Sequence, residues 1–385
     1  MKTSNQSTEL AKRALAHLNA KTTDQAPETM ALDVSAYLDP DRYAREFDAI
    51  FLHKPLGLAL SVELPKPGSY LARTMIGKPL LFVRGKDGAV RAFLNVCRHR
   101  GTAVCKEGHG TAARFVCPYH AWTYDLEGAL VGVSGKEKFG ELDKAGFGLK
   151  ELRCAERAGI IWATLTPGAS FDIDEWLGDF AGELETLDLA DWHFFDQRTI
   201  PGPGWKVTMD GYLEAYHHDT VHANTLSKHT IGNLLVHDTF GPHQRLVMGR
   251  RNLNELNTLP ETEWDAINHI RLIHSIFPNM SMSGIRGGHC LVSQILPGVD
   301  LAHTVTIQTI LSAKEPVTPE EIEQSKAFSA MALEAVGVED YPVGFSIQAG
   351  LDSGANDVFL IGRNEPGIQH YHRMVENFAH EKTPG

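Results

Sequence analysis

Two short segments of the chain each offer one thiol and one imidazole: Cys97-Arg98-His99 and Cys117-Pro118-Tyr119-His120. Two thiolates and two neutral imidazoles suffice for one structural zinc ion, or for a two-iron cluster with sulfur on one iron and nitrogen on the other. In an extended stretch, residues two apart point to the same side, so Cys97 and His99 can bind together. The second pair has the three-residue offset of a tight turn. Core residues placed by coincidence are the remaining alternative. Cys105 has no histidine two residues later and reads as a core thiol, as do Cys154 and Cys290; His109, in a glycine-flanked loop, reads as solvated. An odd set of 5 cysteines makes no disulfide framework, and in a reducing compartment metal binding is the better reading of the close ones.

A second constellation runs Asp210-Gly211-Tyr212-Leu213-Glu214-Ala215-Tyr216-His217-His218-Asp219-Thr220-Val221-His222. On one helix, Asp210, Glu214 and His217 are four and then three apart and share a face. His222 lies five beyond His217, a step that turns about 140° off that face in a regular helix. If both histidines hold one metal, the helix must end or widen between them, as at a π-bulge. His218 is then expected to point elsewhere and Asp219 to face away. Solvated helix acids are the ordinary alternative for Asp210 and Glu214.

These groups need elements to position them. Leu10, Ala14, Leu15 and Leu18 recur at helical spacing over residues 8–20, and a second helical stretch covers about 39–52. From 53 to 166 short apolar runs alternate with turn signals at Gly77-Lys78, Gly85-Lys86-Asp87-Gly88 and Glu127-Gly128, which predicts a small all-β domain. Pro167-Gly168 breaks the chain. Beyond it, helical segments are expected near 173–187 and from Lys206, with strands near 192–200, 243–250, 270–284, 289–296 and 301–312. Thr318-Pro319-Glu320-Glu321 is a helix start: a capping hydroxyl, proline in the first turn, and acids at the positive end. That helix should run to about Gly337, and a last one should cover about 366–380. The division predicted is a helical arm at 1–52, a β-domain at 53–166 and an α+β domain with a curved antiparallel sheet at 167–385.

At 385 residues the chain is long enough for two or three cores at about 150 residues each. A net charge of −12 argues against non-specific nucleic-acid binding, since a polyanion would be repelled. No apolar run is long enough to span a bilayer, and MKTSNQSTEL lacks the apolar core of a signal peptide. A cytoplasmic protein is expected.

The strings Asn95-Val96-Cys97-Arg98-His99-Arg100-Gly101 and Cys117-Pro118-Tyr119-His120-Ala121-Trp122-Thr123-Tyr124-Asp125-Leu126-Glu127-Gly128 resemble the two cluster-binding loops of Rieske domains. Trp205-Lys206 followed by Asp210, Glu214, Tyr216-His217 and His222 resembles the iron motif in the catalytic domain of Rieske non-haem iron oxygenases, the aromatic ring-hydroxylating alpha subunits. Glu339-Asp340-Tyr341-Pro342-Val343 with Gln348-Ala349-Gly350-Leu351 is similar to that family's downstream segment. The resemblance implies a [2Fe–2S] cluster on Cys97, His99, Cys117 and His120, and a mononuclear Fe(II) on His217, His222 and Asp340, with Glu339 the alternative to Asp340. It places Glu214 where the family has an acid, usually aspartate, bridging a ligand histidine to a cluster histidine of the neighbouring subunit. Asp210 stands where asparagine is common and is expected to support the iron ligands. Pro342 and Gly344 argue against a smooth helix beside Asp340.

The implied architecture is an N-terminal helical arm, a Rieske β-domain and a helix-grip (START/Bet v 1-like) catalytic domain. The implied activity is that of a terminal oxygenase, a dioxygenase or monooxygenase. It would take electrons from an NAD(P)H-dependent reductase, directly or through a ferredoxin, and use O2 to hydroxylate, dihydroxylate or demethylate an aromatic or other ring compound, as in aromatic hydrocarbon catabolism. Two histidines and a carboxylate leave about three iron positions open for oxygen. A homotrimer is implied, with or without a small beta subunit. The alternatives are an electron-transfer protein with a non-catalytic ligand-binding domain, and a zinc-stabilised binding module. Phe277, Met280, Met282, Leu291 and Val292 are candidate pocket or core residues, and Arg286 is a candidate partner for a substrate carboxylate or a surface arginine.

Overall fold

The computed structural model describes residues 2–284 and 288–381, with side chains from residue 6 onward. The chain forms two compact units. One comprises Phe51–Trp176 and Asp188–Asp191, and the other the described residues of 1–50, Leu177–Leu187 and 192–385.

The smaller unit is built from short antiparallel strands. They are β1 (Leu56–Leu60), β2 (Ser69–Met75), β3 (Lys78–Arg84), β4 (Val90–Leu94), β5 (Gly108–Thr111), β6 (Phe115–Val116), β7 (Thr123–Tyr124), β8 (Leu130–Gly132), β9 (Glu151–Leu152), β10 (Cys154–Arg157) and β11 (Ile160–Ala163). They form sheets ordered β9-β4-β3-β2-β5, β10-β11-β1 and β6-β7-β8. The apolar run Leu80-Leu81-Phe82-Val83 is buried throughout, so β3 is covered on both faces. The turn before it falls one residue earlier than the sequence suggests. Ile76 (φ 51°) and Gly77 (φ 70°) make a two-residue hairpin loop with both angles positive, matching the strands' twist. The first Cys–His segment follows β4, and the second joins β6 to β7.

The larger unit is organised on a seven-stranded antiparallel sheet: β12 (His193–Pro203), β13 (Thr230–Phe240), β14 (His243–Arg250), β15 (Ile270–Ile276), β16 (Met280–Ser283), β17 (His289–Pro297) and β18 (His303–Ser312), in the order β12-β18-β17-β16-β15-β14-β13. Helix α1 (Lys2–Ala20) buries Leu10, Ala11, Ala14 and Leu15 against Leu234, Val236 and Val247 of this sheet. Full burial of one leucine contributes about 2 kcal/mol, so the apolar stripe ties α1 to this unit. The helical stretch expected near 173–187 divides at Gly178 (φ 49°) into Ile173–Leu177 and α2 (Phe180–Glu185).

Two helical stretches carry the second constellation. The first is α3 (Trp205–Tyr212), a turn, and α4 (His218–Val221). The second starts as α5 (Pro319–Leu333), where Thr318 accepts from the Glu321 N–H and Glu321 reaches back to the Thr318 N–H. It widens into a π-helical turn over Glu334–Asp340 and resumes as α6 (Tyr341–Asp352). Ala332, Val336 and Tyr341 pack on Ile200, Leu291 and Ile310 of the sheet. A Cβ on Gly344 would come within 2.7 Å of Pro203 Cγ, so only glycine lets α6 lie this close to β12. Helix α7 (Pro366–His380) closes the unit, burying Tyr371 and Val375. Among the described residues no helix is long and apolar enough to cross a membrane.

Candidate metal centres

The two Cys–His loops are closed the same way. Cys97 N–H donates to Thr102 O at 2.8 Å, and Gly101 N–H returns to Cys97 O at 2.9 Å. Cys117 N–H donates to Trp122 O at 2.8 Å, and Ala121 N–H returns to Cys117 O at 2.9 Å. Gly101 (φ 83°) and Ala121 (φ 56°) occupy the left-handed region this closure requires. The first loop is therefore a turn like the second, not the extended stretch that the two-residue offset suggested.

Both thiols are buried, Cys97 and Cys117 alike, and the His99 and His120 rings lie 4.7 Å apart. His99 stacks on buried Trp122 at 4.9 Å, and Tyr119 stacks on His120 at 3.7 Å. Tyr124 OH lies 3.4 Å from Cys97 Sγ and accepts from the Arg98 N–H at 2.9 Å, which leaves its own proton free for a thiolate at Cys97. Nδ1 of His99 and Nδ1 of His120 are both buried with no hydrogen-bond partner. A buried nitrogen without a partner is costly unless a metal takes its lone pair. Two such nitrogens and two buried thiols suit a [2Fe–2S] cluster with mixed sulfur and nitrogen ligation.

In the larger unit, His217 and His222 flank the four-residue helix α4. The chain leaves helical geometry after Tyr212, before His217, rather than between the two histidines. This separates Asp210 from Glu214 and His217. Its carboxylate accepts from Tyr37 OH at 2.6 Å and from His372 Nε2 at 2.8 Å, and it does not share a face with His217. Glu214 falls in the turn, where its carboxylate accepts from the Tyr216 N–H, from the His217 N–H at 3.2 Å, and from His217 Nδ1.

His222 has the matching partner. Its Nδ1 donates to Glu339 Oε2 at 2.7 Å, and Thr225 Oγ1 donates to the same oxygen. A carboxylate only accepts, so each imidazole carries its proton on Nδ1 and presents a lone pair at Nε2. The two Nε2 atoms face each other at 3.2 Å, and Asp340 Oδ1 lies 3.0 Å from His222 Nε2 and 3.6 Å from His217 Nε2. Donors on one metal at right angles, with bonds of about 2.1 Å, sit about 3 Å apart. Two lone pairs and a carboxylate this close repel unless a cation or proton lies among them, so the donor set fits a divalent iron.

His218 does not point away. Its ring is 4.9 Å from His217 and 5.2 Å from His222, and the three rings each offer a nitrogen within 4.8 Å of the others. Burial, then the neighbouring His217, Arg271 and His222, push its imidazolium down to about 2, so it stays neutral. Two trios thus share His217 and His222. The one completed by Asp340 is tighter and supplies the negative charge a divalent ion needs. Burial lowers the His217 pKa, but Glu214, Asp340 and Glu365 outweigh it and the net shift is upward.

Glu339 has a role that the spacing alone did not assign. Glu339, the alternative ligand by sequence, stands behind His222 instead; the tandem acid pair was the available signal. Glu365 is held above its ordinary range by burial and by Glu214 and Asp210, and nothing in its local sequence marks it.

The donors open on a cavity of about 300 Å³, lined also by Met248, Ile273, Leu291 and Phe328. Of the five apolar residues singled out by sequence, Leu291 alone lines this cavity; Phe277 packs on Tyr371 and Phe378. Arg286 lies outside the described residues.

Residues 189–381 match the family described as ring hydroxylating alpha subunit (catalytic domain), and residues 55–147 match the Rieske [2Fe-2S] domain. The chain belongs to the ring-hydroxylating alpha-subunit family, whose members join a Rieske cluster domain to a catalytic domain that holds mononuclear iron. It is 32% identical over 195 residues to the glycine betaine monooxygenase oxygenase subunit of Chromohalobacter salexigens, covering 50% of this chain and 43% of that one. It is 34% identical over 199 residues to chlorobenzene dioxygenase subunit alpha of a Cupriavidus species, covering 48% and 42%. The matched segments thus span less than half the length of these relatives. The fold matches a quaternary ammonium Rieske monooxygenase described for carnitine oxidation and inter-subunit electron transfer, with TM-score 0.79 at 24% identity over 92% of this chain and 97% of that one.

Proposed function

We propose that this chain is the terminal oxygenase component of a Rieske oxygenase system, a monooxygenase or dioxygenase acting on a small organic molecule. One observation carries the reading: His217 Nε2, His222 Nε2 and Asp340 Oδ1 converge, within 3.6 Å of one another, on the wall of a cavity of about 300 Å³. That volume suits a small ligand. An electron carrier with a passive binding domain needs no such donor set, and a zinc module needs neither.

In this reading Cys97, His99, Cys117 and His120 hold the [2Fe–2S] cluster, and His217, His222 and Asp340 hold iron. The cluster would supply electrons singly, and the iron would supply oxygen activation beside the substrate. The chain's own groups do the rest. Glu214 and Glu339 keep the Nδ1 protons of His217 and His222 and fix the ring orientations. Asp210 holds Tyr37 and His372 together under α3 and so positions the segment leading to Glu214. The apolar wall excludes water from the reacting face of the substrate, which limits wasteful reduction of oxygen.

Electrons would come from an NAD(P)H-dependent reductase or its ferredoxin in the cytoplasm. A homotrimer is proposed because a relative of the same fold is described for inter-subunit electron transfer and head-to-tail interfaces close as rings. Named relatives act on a ring compound, chlorobenzene, and on a ring-free one, glycine betaine, so both body types belong in the screen. The test is twofold. Reconstituted protein should hold about three irons per chain, two in the cluster and one at the histidines. With a surrogate reductase it should show substrate-dependent O2 uptake and an oxygenated product. Cluster without mononuclear iron would reduce the protein to an electron carrier.

A further inference from the structure

The cavity beside His217, His222 and Asp340 is not uniformly apolar. Leu226, Met248, Ile273, Leu291, Met331 and Val336 make up much of its wall, yet Arg250 and Arg271 open into it as well, on neighbouring strands β14 and β15. Arg250 is tied to the backbone, its Nε donating to Ile270 O at 3.0 Å. Arg271 is not tied in this way. Among the described residues its side chain has one hydrogen bond, a long contact from Nη2 to Ser283 Oγ at 3.4 Å, and it enters no ion pair. Burial, and the like charge of Arg250, weigh on Arg271 against only a distant pull from Asp340; together they lower it to about 10, so it remains charged at neutral pH.

Partly exposed to a largely apolar cavity, the Arg271 guanidinium keeps donors that a ligand entering the cavity can take up. A guanidinium presents a planar fork that matches a carboxylate with two parallel hydrogen bonds. Ser281 and Ser283 line the same side and add hydroxyl donors. The rest of the wall accepts an apolar body.

Resting on the oxygenase reading of this site, we infer that the substrate is a small monocarboxylic acid whose carboxylate pairs with Arg271 and whose apolar body lies against Ile273, Leu291 and Phe328. Arg271 is then a specificity residue. The acid end is held and the far end of the body is presented to the iron donors.

The experiment is calorimetric titration of the iron-loaded protein with matched acids and primary amides whose bodies run from propionate through benzoate to naphthoate. Acids should bind at least tenfold tighter than their amides. In Arg271→Leu this preference should vanish, the acids falling to the affinity of their amides, and in Arg271→Lys it should be partly restored. Thermal melts check that each variant is folded. An acid preference that survives in Arg271→Leu places the carboxylate on the metal and overturns the proposal, as does equal binding of acids and amides or binding of amides alone. Titration needs no turnover, so acids that bind through Arg271 without being oxidised would refute the oxygenase reading alone. Oxidation of a neutral ligand with no acid preference would refute the arginine reading alone.

Discussion

His222 and Glu339 stand 117 residues apart in the chain and meet at 2.7 Å, Nδ1 to Oε2. The contact mirrors that of His217 with Glu214, so each histidine of the proposed iron site is gripped from behind by its own carboxylate. Such partners fix the tautomer and raise ligand basicity, and their loss lowers metal affinity 10- to 100-fold, by about 1.4–3 kcal/mol. Glu339→Gln should therefore bind mononuclear iron ~10- to 100-fold more weakly in a chelator competition, with the visible spectrum of the cluster unchanged. Unaltered iron affinity would remove Glu339 from this role.

Among the described residues Asp340 is the sole carboxylate placed on the two Nε2 atoms. Asp340→Ala should fall from about three irons per chain to about two and lose substrate-dependent O2 uptake. Its cluster should still reduce and show its EPR signal. An Asp340→Ala protein that turns over at the parent rate would show that the donor set lies elsewhere, with His218 the first candidate to test.

Tyr124 OH lies 3.4 Å from Cys97 Sγ, and a cluster-bound thiolate can only accept, so the hydroxyl would donate to it. A hydrogen bond to a ligand sulfur stabilises the more negative, reduced cluster and raises its potential. Tyr124→Phe removes it. At about 1 kcal/mol for the bond, the potential should drop by about 40 mV in a spectroelectrochemical titration. An upward shift would contradict the geometry.

Glu183 on α2 is buried and joins Arg245 at 2.7 Å and His274 at 2.8 Å. Burial raises its pKa, but those two partners outweigh it and bring the carboxyl down from 4.5 to about 2. A depressed carboxyl stabilises the fold above its unfolded pKa, and the contribution fades as pH falls toward 2. The shift corresponds to about 3 kcal/mol at neutral pH. Glu183→Gln should lower Tm at pH 7 and should flatten the loss of stability between pH 5 and 2 seen by differential scanning calorimetry in the parent. A parallel acid profile in both proteins would assign the acid sensitivity to other groups.

Much of the local structure was legible. The start of α5 needed only Thr318, Pro319 and Glu321, because a cap is a contact among near neighbours. The helical spacing of Leu10, Ala14 and Leu15 marked a helix with something to cover. The β-strands of the smaller unit declared themselves by runs such as Leu80-Leu81-Phe82-Val83 between turn residues. Less legible was where a helix ends. A regular helix from Asp210 to His217 is consistent with the pattern, yet it stops at Tyr212, and the π-helical widening falls at Glu334–Asp340 instead of between the histidines. Backbone geometry there answers to packing against the sheet, which local spacing does not record.

What the sequence determined by itself is the inventory: two Cys–His loops, the His217 and His222 pair, an acid pair at Glu339-Asp340, and the alternation of elements around them. Tertiary structure alone decided the division of labour among the acids. Asp210 turned to Tyr37 and His372, Glu339 went behind His222, Asp340 faced the two lone pairs, and Arg271 entered the cavity. Each choice depends on which residues distant in the chain occupy the other side of a contact. A carboxylate or guanidinium acts through atoms within about 3 Å of it, and only the folded chain sets that neighbourhood.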